Sequence, residues 1–178
     1  GTPVMPLKAT GETQKRGTRI TFKPDAEIFT DTEMSFDVLA QRMRELAFLN
    51  RGVRIELFDE RISRDREFHY DGGLVSFVDY LNKNKEPLHT EVIFFAGEKQ
   101  GISAEVAIQY NQTYNEKIFT FANNINTKEG GSHLVGFKAG LTRSIKQYAA
   151  QAKLAKTDLD KLTGNDVREG MTGIISVK

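Results

Sequence analysis

The sequence predicts an α+β fold, on three observations. Short runs that alternate polar and apolar residues, or stay apolar between turn residues, recur along the chain as strands do. Three longer stretches place apolar residues at the three-and-four spacing of a helix with one buried face. The elements do not alternate strictly: three strand-like runs follow one another before the longest helix.

From Gly1 to Arg16 the residues are proline-, glycine- and charge-scattered, which reads as loop or extended edge. Arg19-Ile20-Thr21-Phe22 alternates and is predicted to be a short strand ended by Lys23-Pro24-Asp25. Asp31 to Ser35 offers cap residues, Ser35 best placed, for a helix carrying Phe36, Leu39, Met43, Leu46, Ala47 and Leu49, stopped by Asn50-Arg51-Gly52. Val53 to Leu57 alternates again, so the first third reads strand, helix, strand. Asp59 to Glu67 is a run of mixed charge suited to a hairpin tip or a domain boundary, and Phe68-His69-Tyr70 a short strand before the turn Asp71-Gly72-Gly73. A helix is predicted over Leu74 to Asn82, then strands over Glu91 to Ala96, Ile102 to Tyr110 and Lys117 to Ala122, which the intervening turns present as an antiparallel meander.

The long helix begins after Glu129-Gly130-Gly131, with Ser132 the expected N-cap. Phe137, Leu141, Ile145, Tyr148 and Ala152 share its predicted buried face. Lys138, Arg143, Lys146 and Lys153 share one flank, and no Asp or Glu occurs between Glu129 and Asp158. Such a flank suits a polyanion, the competing reading being a plain solvated face. A charged connection around Lys156 to Lys161, a turn or short helix start at Thr163 to Asp166 and a last strand over Met171 to Val177 complete the chain.

The 178 residues are enough for one medium domain or two small ones with a real core. Lys and Arg total 25 against 24 for Asp and Glu, so any case for nucleic acid must be local. The absence of Cys removes disulfides and thiolate metal sites and fits a cytosolic, cytoplasmic protein. No apolar run is long enough to span a membrane as a helix, and no signal peptide is visible. His69, His89 and His133 lie on separate segments without ligand spacing, Ser132-His133 lacks a nucleophile-elbow frame, and no phosphate loop or paired-carboxylate set emerges. No catalytic residue or metal site is expected. Both chain ends read as cuts within a longer protein.

The blocks Arg44 to Asn50, Phe68 to Gly73, Tyr80 to Lys85, Asn123 to His133 with Gly136-Phe137-Lys138, and Asp166 to Met171 occur in the order found in the DNA gyrase B family. The chain resembles that family, a type IIA topoisomerase B subunit, along its whole length; the topoisomerase IV counterpart is similar too, less closely at Leu81 to Asn84. The resemblance implies that residues 1–67 are the end of a GHKL ATP-binding domain and 68–178 a transducer domain, with the left-handed β-α-β fold of the second domain of small-subunit ribosomal protein five. It implies that Gly17-Thr18 is the last nucleotide motif, the Thr hydroxyl helping to hold adenine, while the catalytic Glu, the magnesium-binding Asn and the glycine-rich lid precede Gly1 and the Gln-Thr-Lys loop follows Lys178. ATP and magnesium would then serve the intact subunit without binding this piece. Lys138 matches a basic residue facing the cavity that DNA traverses, with Arg143 and Lys146 nearby, a backbone-reading surface without base specificity. The implied partners are DNA, two gyrase A subunits and a second copy of gyrase B joined on ATP binding, and the implied work is coupling ATP to strand passage and supercoiling. A stand-alone nucleic-acid-binding module of the same fold is the competing class.

Overall fold

A computed structural model describes residues 4–6, 8–14, 17–18, 20–154 and 161–178. The chain divides into two compact units, Gly1–Met34 and Ser35–Lys178. In the first, the described residues form no helix or strand, and Asp25 to Phe29 makes one turn, the Phe29 N–H donating to the Asp25 carbonyl at 2.8 Å. The predicted strand at Arg19 to Phe22 is therefore a correction: Ile20, Thr21 and Phe22 are exposed and pair with no strand, and Arg19 lies outside the described residues. Alternation licenses a strand only where a neighbouring strand takes the backbone N–H and C=O groups.

The second unit begins with α1, Phe36–Leu49, whose N-cap is Ser35, accepting from the Val38 N–H at 3.5 Å. Strands β1 (Arg54–Asp59) and β2 (Arg64–His69) form an antiparallel hairpin whose tip is the mixed-charge run, so the strand expected at Phe68 starts four residues earlier. Alternation then sets the faces: Ile55, Leu57 and Phe68 turn to α1, where they enclose Phe36, Ala40 and Ala47. α2 spans Leu74–Asn82.

The main sheet contains β3 (Ile93–Lys99), β4 (Ile102–Tyr110), β5 (Lys117–Ala122), β6 (Ile125–Asn126) and β7 (Met171–Val177), in the order β3-β4-β7-β5-β6. This corrects the meander. β3 and β4 pair antiparallel as expected, but β7 lies between β4 and β5 and runs parallel to β5. The cause is burial: six of the seven residues of β7 are buried, and a run buried on both faces belongs at a sheet centre covered on both sides. The crossover from β5 to β7 carries α3 (Ser132–Gln151) and the short α4 (Gly164–Arg168); the charged connection expected at Lys156 to Lys161 falls, but for Lys161, outside the described residues.

Strand alternation sorts the core into two layers. Ala107, Ile174, Phe119 and Phe121 face α1 and α2, meeting Phe48, Leu49, Leu74, Phe77 and Val78. Val106, Ile108, Met171, Ile175 and Ile118 face α3, meeting Leu134, Phe137 and Leu141. The sheet is thus held between α1 and α2 on one side and α3 on the other. The buried face of α3 departs from its sequence pattern near the C-terminal end: Tyr148 is 65% exposed and Ala152 exposed, while Ala149 is buried. The N-cap of α3 is also corrected, since Gly131 occupies that position with no side-chain bond and Ser132 is the first helical residue.

Candidate nucleic-acid interface and the seam behind it

α3 is fixed through its apolar side, so its basic side faces outward at a set position. Arg143 is exposed and Lys146 half-buried, and neither has a carboxylate partner among the described residues. Lys138 differs. Its ammonium pairs with one Glu116 carboxylate oxygen, and the other oxygen accepts from Arg168 Nε at 2.9 Å. Burial alone would raise the Glu116 carboxyl, but the bonds from Lys138 and Arg168 outweigh it and hold the group below the usual glutamate range. Glu116 sits in the loop between β4 and β5, remote in sequence, so the acid-free run from Gly130 to Thr157 gives no sign of it. No local spacing reveals this pairing.

Behind the sheet, α1 is joined to the rest by an aromatic stack that apolar periodicity does not single out. Phe48 is 1% exposed; its ring lies 3.7 Å from that of Tyr70 and 4.6 Å from that of Phe77, both stacked. Arg44 extends the seam, its guanidinium over the Phe68 and Tyr80 rings and donating to the Tyr80 hydroxyl at 3.1 Å. At the far end Arg42 Nη2 donates to the Asn124 carbonyl at 2.7 Å, and Asn124 Nδ2 donates to Asn50 Oδ1 at 3.0 Å. Asn123 and Asn124 both hold positive φ (48° and 64°), the left-handed region Asn tolerates better than most residues. The Asn-Asn turn after β5 is thereby aimed at α1.

A buried polar network fixes the end of the sheet near α2. Thr172 Oγ1 donates to Asn82 Oδ1 at 2.7 Å and accepts from Asn111 Nδ2 at 3.2 Å and Lys85 Nζ at 3.1 Å. Asn82 Nδ2 donates to Gln109 Oε1 at 2.8 Å. Burial, reinforced by nearby Lys117, lowers the Lys85 pKa from its ordinary value. His89 belongs to the same end in a structural role: its Nε2 accepts from the Tyr110 N–H at 3.0 Å and its Nδ1 meets the Glu91 carbonyl at 2.7 Å. Those partners fit the tautomer protonated at Nδ1.

A family model described as DNA gyrase B matches residues 73–178. The chain belongs to the DNA gyrase B family. Among relatives, the B subunit of DNA gyrase from Clostridium acetobutylicum is 52% identical over 179 residues, a match covering 100% of this chain and 28% of that protein. The chain therefore spans little more than a quarter of that relative's length. Among solved structures, the 43K ATPase domain of Thermus thermophilus gyrase B in complex with an aminocoumarin aligns with a TM-score of 0.77 at 34% identity, over 88% of this chain and 43% of that one. The topoisomerase IV ATP binding domain of Francisella tularensis aligns at 0.69 with 22% identity over 87% of this chain and 41% of that one, a likeness of fold alone.

Gly17 and Thr18, the expected nucleotide motif, are exposed in the Gly1–Met34 unit, and a side chain added at Gly17 would meet nothing within 4 Å. Among the described residues no group of three or more His, Asp or Glu could hold a metal ion. One hydroxyl with no surrounding cradle does not fit ATP or magnesium by itself. Among the described residues no helix is long and apolar enough to cross a membrane.

Proposed function

We propose that this stretch is the coupling segment of a cytoplasmic gyrase B protein, residues 1–67 ending an ATP-binding domain and 68–178 forming the transducer. In the whole subunit, ATP with magnesium would supply the free energy of supercoiling, held mainly by residues outside this stretch, with Gly17 and Thr18 at its margin. The residues here move nothing chemically. α1 receives a displacement and passes it through the Phe48 seam to the sheet, and the sheet carries α3 with it. On α3, Lys138, Arg143 and Lys146 contact a DNA backbone during strand passage. The holoenzyme would pair two such subunits, associating when nucleotide binds, with two gyrase A subunits that cut the DNA.

This reading rests on the shared core: Phe48 and Leu49 of α1 are buried in the same cluster as Phe121 and Ile174 of the sheet. A helix that is part of the sheet's own core cannot shift without repacking it. The test is duplex-DNA binding by the full-length subunit carrying Arg143→Ala and Lys146→Ala. Two lost phosphate contacts should reduce the slope of log affinity against log salt by about 1.8, with DNA-independent ATP turnover unchanged. An unaltered slope would refute the interface.

A further inference from the structure

We propose that Glu116 is a built-in counter-anion for α3: it occupies the Lys138 ammonium until a DNA phosphate displaces it. The proposal rests on the DNA-binding reading of α3. Its support is the asymmetry of the Lys138–Glu116–Arg168 group. The Arg168 side chain is 10% exposed and makes a second bond, Nη2 to Asn165 Oδ1 at 3.0 Å, so it is committed to the fold. The Lys138 side chain remains 34% exposed and reaches only the other carboxylate oxygen. Arg168 thus anchors the carboxylate at one oxygen and leaves the second to Lys138.

The loop bearing Glu116 is itself pinned. The Asn111 N–H donates to the Gly170 carbonyl at 2.9 Å, and Asn111 Oδ1 accepts from the Thr113 N–H at 3.1 Å and the Thr113 hydroxyl at 2.6 Å. Gly170 has φ 71°, and a Cβ there would collide with the Asn111 carbonyl oxygen, so the approach of loop and turn requires glycine. A fixed carboxylate facing a movable ammonium is a pair that one partner can leave. Lysine suits this role, because its compact charge and rotatable donors change partners without the fork geometry an arginine would forfeit. While the pair holds, two cations share one carboxylate, and α3 presents less positive charge than its sequence suggests.

The test is the salt dependence of duplex-DNA binding by the full-length subunit, comparing wild type, Glu116→Gln, Lys138→Ala and the double variant. With no carboxylate to displace, Glu116→Gln should bind about 1.4- to 5-fold more tightly at a slope near wild type, because Lys138 meets the phosphate in both proteins, whereas Lys138→Ala should flatten the slope by about 0.9. In the Lys138→Ala background Glu116→Gln should change nothing. Unchanged or weaker binding by Glu116→Gln, or an effect that persists without Lys138, overturns the proposal. If Glu116→Gln does not fold, Glu116→Asp keeps the charge for Arg168 on a side chain too short to span both cations, and the same comparison applies. Arg143→Ala with Lys146→Ala leaving DNA binding intact would instead defeat the underlying interface reading.

Discussion

Replacing Phe48 by Ala tests whether α1 and the sheet are one cooperative body. The ring is 1% exposed and touches three aromatic neighbours, with centroids 3.7, 4.6 and 5.6 Å away. Removing a buried Phe costs about 3–5 kcal/mol. The lost stacking, about 0.5–1.5 kcal/mol per aromatic pair, places this site toward the upper end. Against a domain stability of about 5–15 kcal/mol, such a loss reaches every element that shares the core. Urea unfolding is the assay, followed by far-UV circular dichroism and by tyrosine fluorescence, since the chain has no Trp. With a slope of about 2 kcal/mol per molar, the single midpoint should fall by about 2 M at constant slope. Two separated transitions, with α1 melting first and the sheet unmoved, would refute the shared core, as would a loss below about 1 kcal/mol.

The buried polar network gives a second expectation. Thr172→Val keeps the shape but strands Asn82, Asn111 and Lys85, and should cost about 3 kcal/mol, at about 1–3 per unsatisfied group. Thr172→Ser should recover most of it, and chemical denaturation of the two variants decides. The Glu116 ion pair gives a pH signature. Its folded carboxyl lies below the ordinary 4.5, so it adds stability above that value, and this is lost as pH falls through the depressed one. Glu116→Gln should therefore be less stable than wild type at pH 7, with the difference closing below about pH 4.5; parallel stability curves from pH 3 to 7 would count against the pair.

Much of the fold is legible in the sequence because local signals agree with the final packing. Ser35 caps α1 as its position suggests, and the bounds of α2, β4, β5 and β7 coincide with those read from periodicity. What the sequence hides depends on distant partners. The alternation at Ile20 to Phe22 meets no strand among the described residues, and the place of β7 between β4 and β5 is a pairing no turn residue encodes. The basic flank of α3 is legible, but its charge balance is not, because Glu116 approaches from another loop. Helical periodicity assigns Tyr148 to the core, yet Tyr148 is 65% exposed and its neighbour Ala149 is buried, so the buried face near the end of α3 lies one residue round from the one the pattern marks.

Arg42 is where the proposed relay can be measured. Its bond to the Asn124 carbonyl, at 2.7 Å, ties α1 to the turn after β5. In reconstituted gyrase carrying Arg42→Met, the quantity to follow is supercoils introduced per ATP hydrolysed. Loss of a coupling of about 0.5–2 kcal/mol should lower that ratio about 2- to 30-fold while ATP hydrolysis stays near wild type. A ratio unchanged from wild type, or hydrolysis and supercoiling falling in equal proportion, would show that α1 relays nothing through this contact.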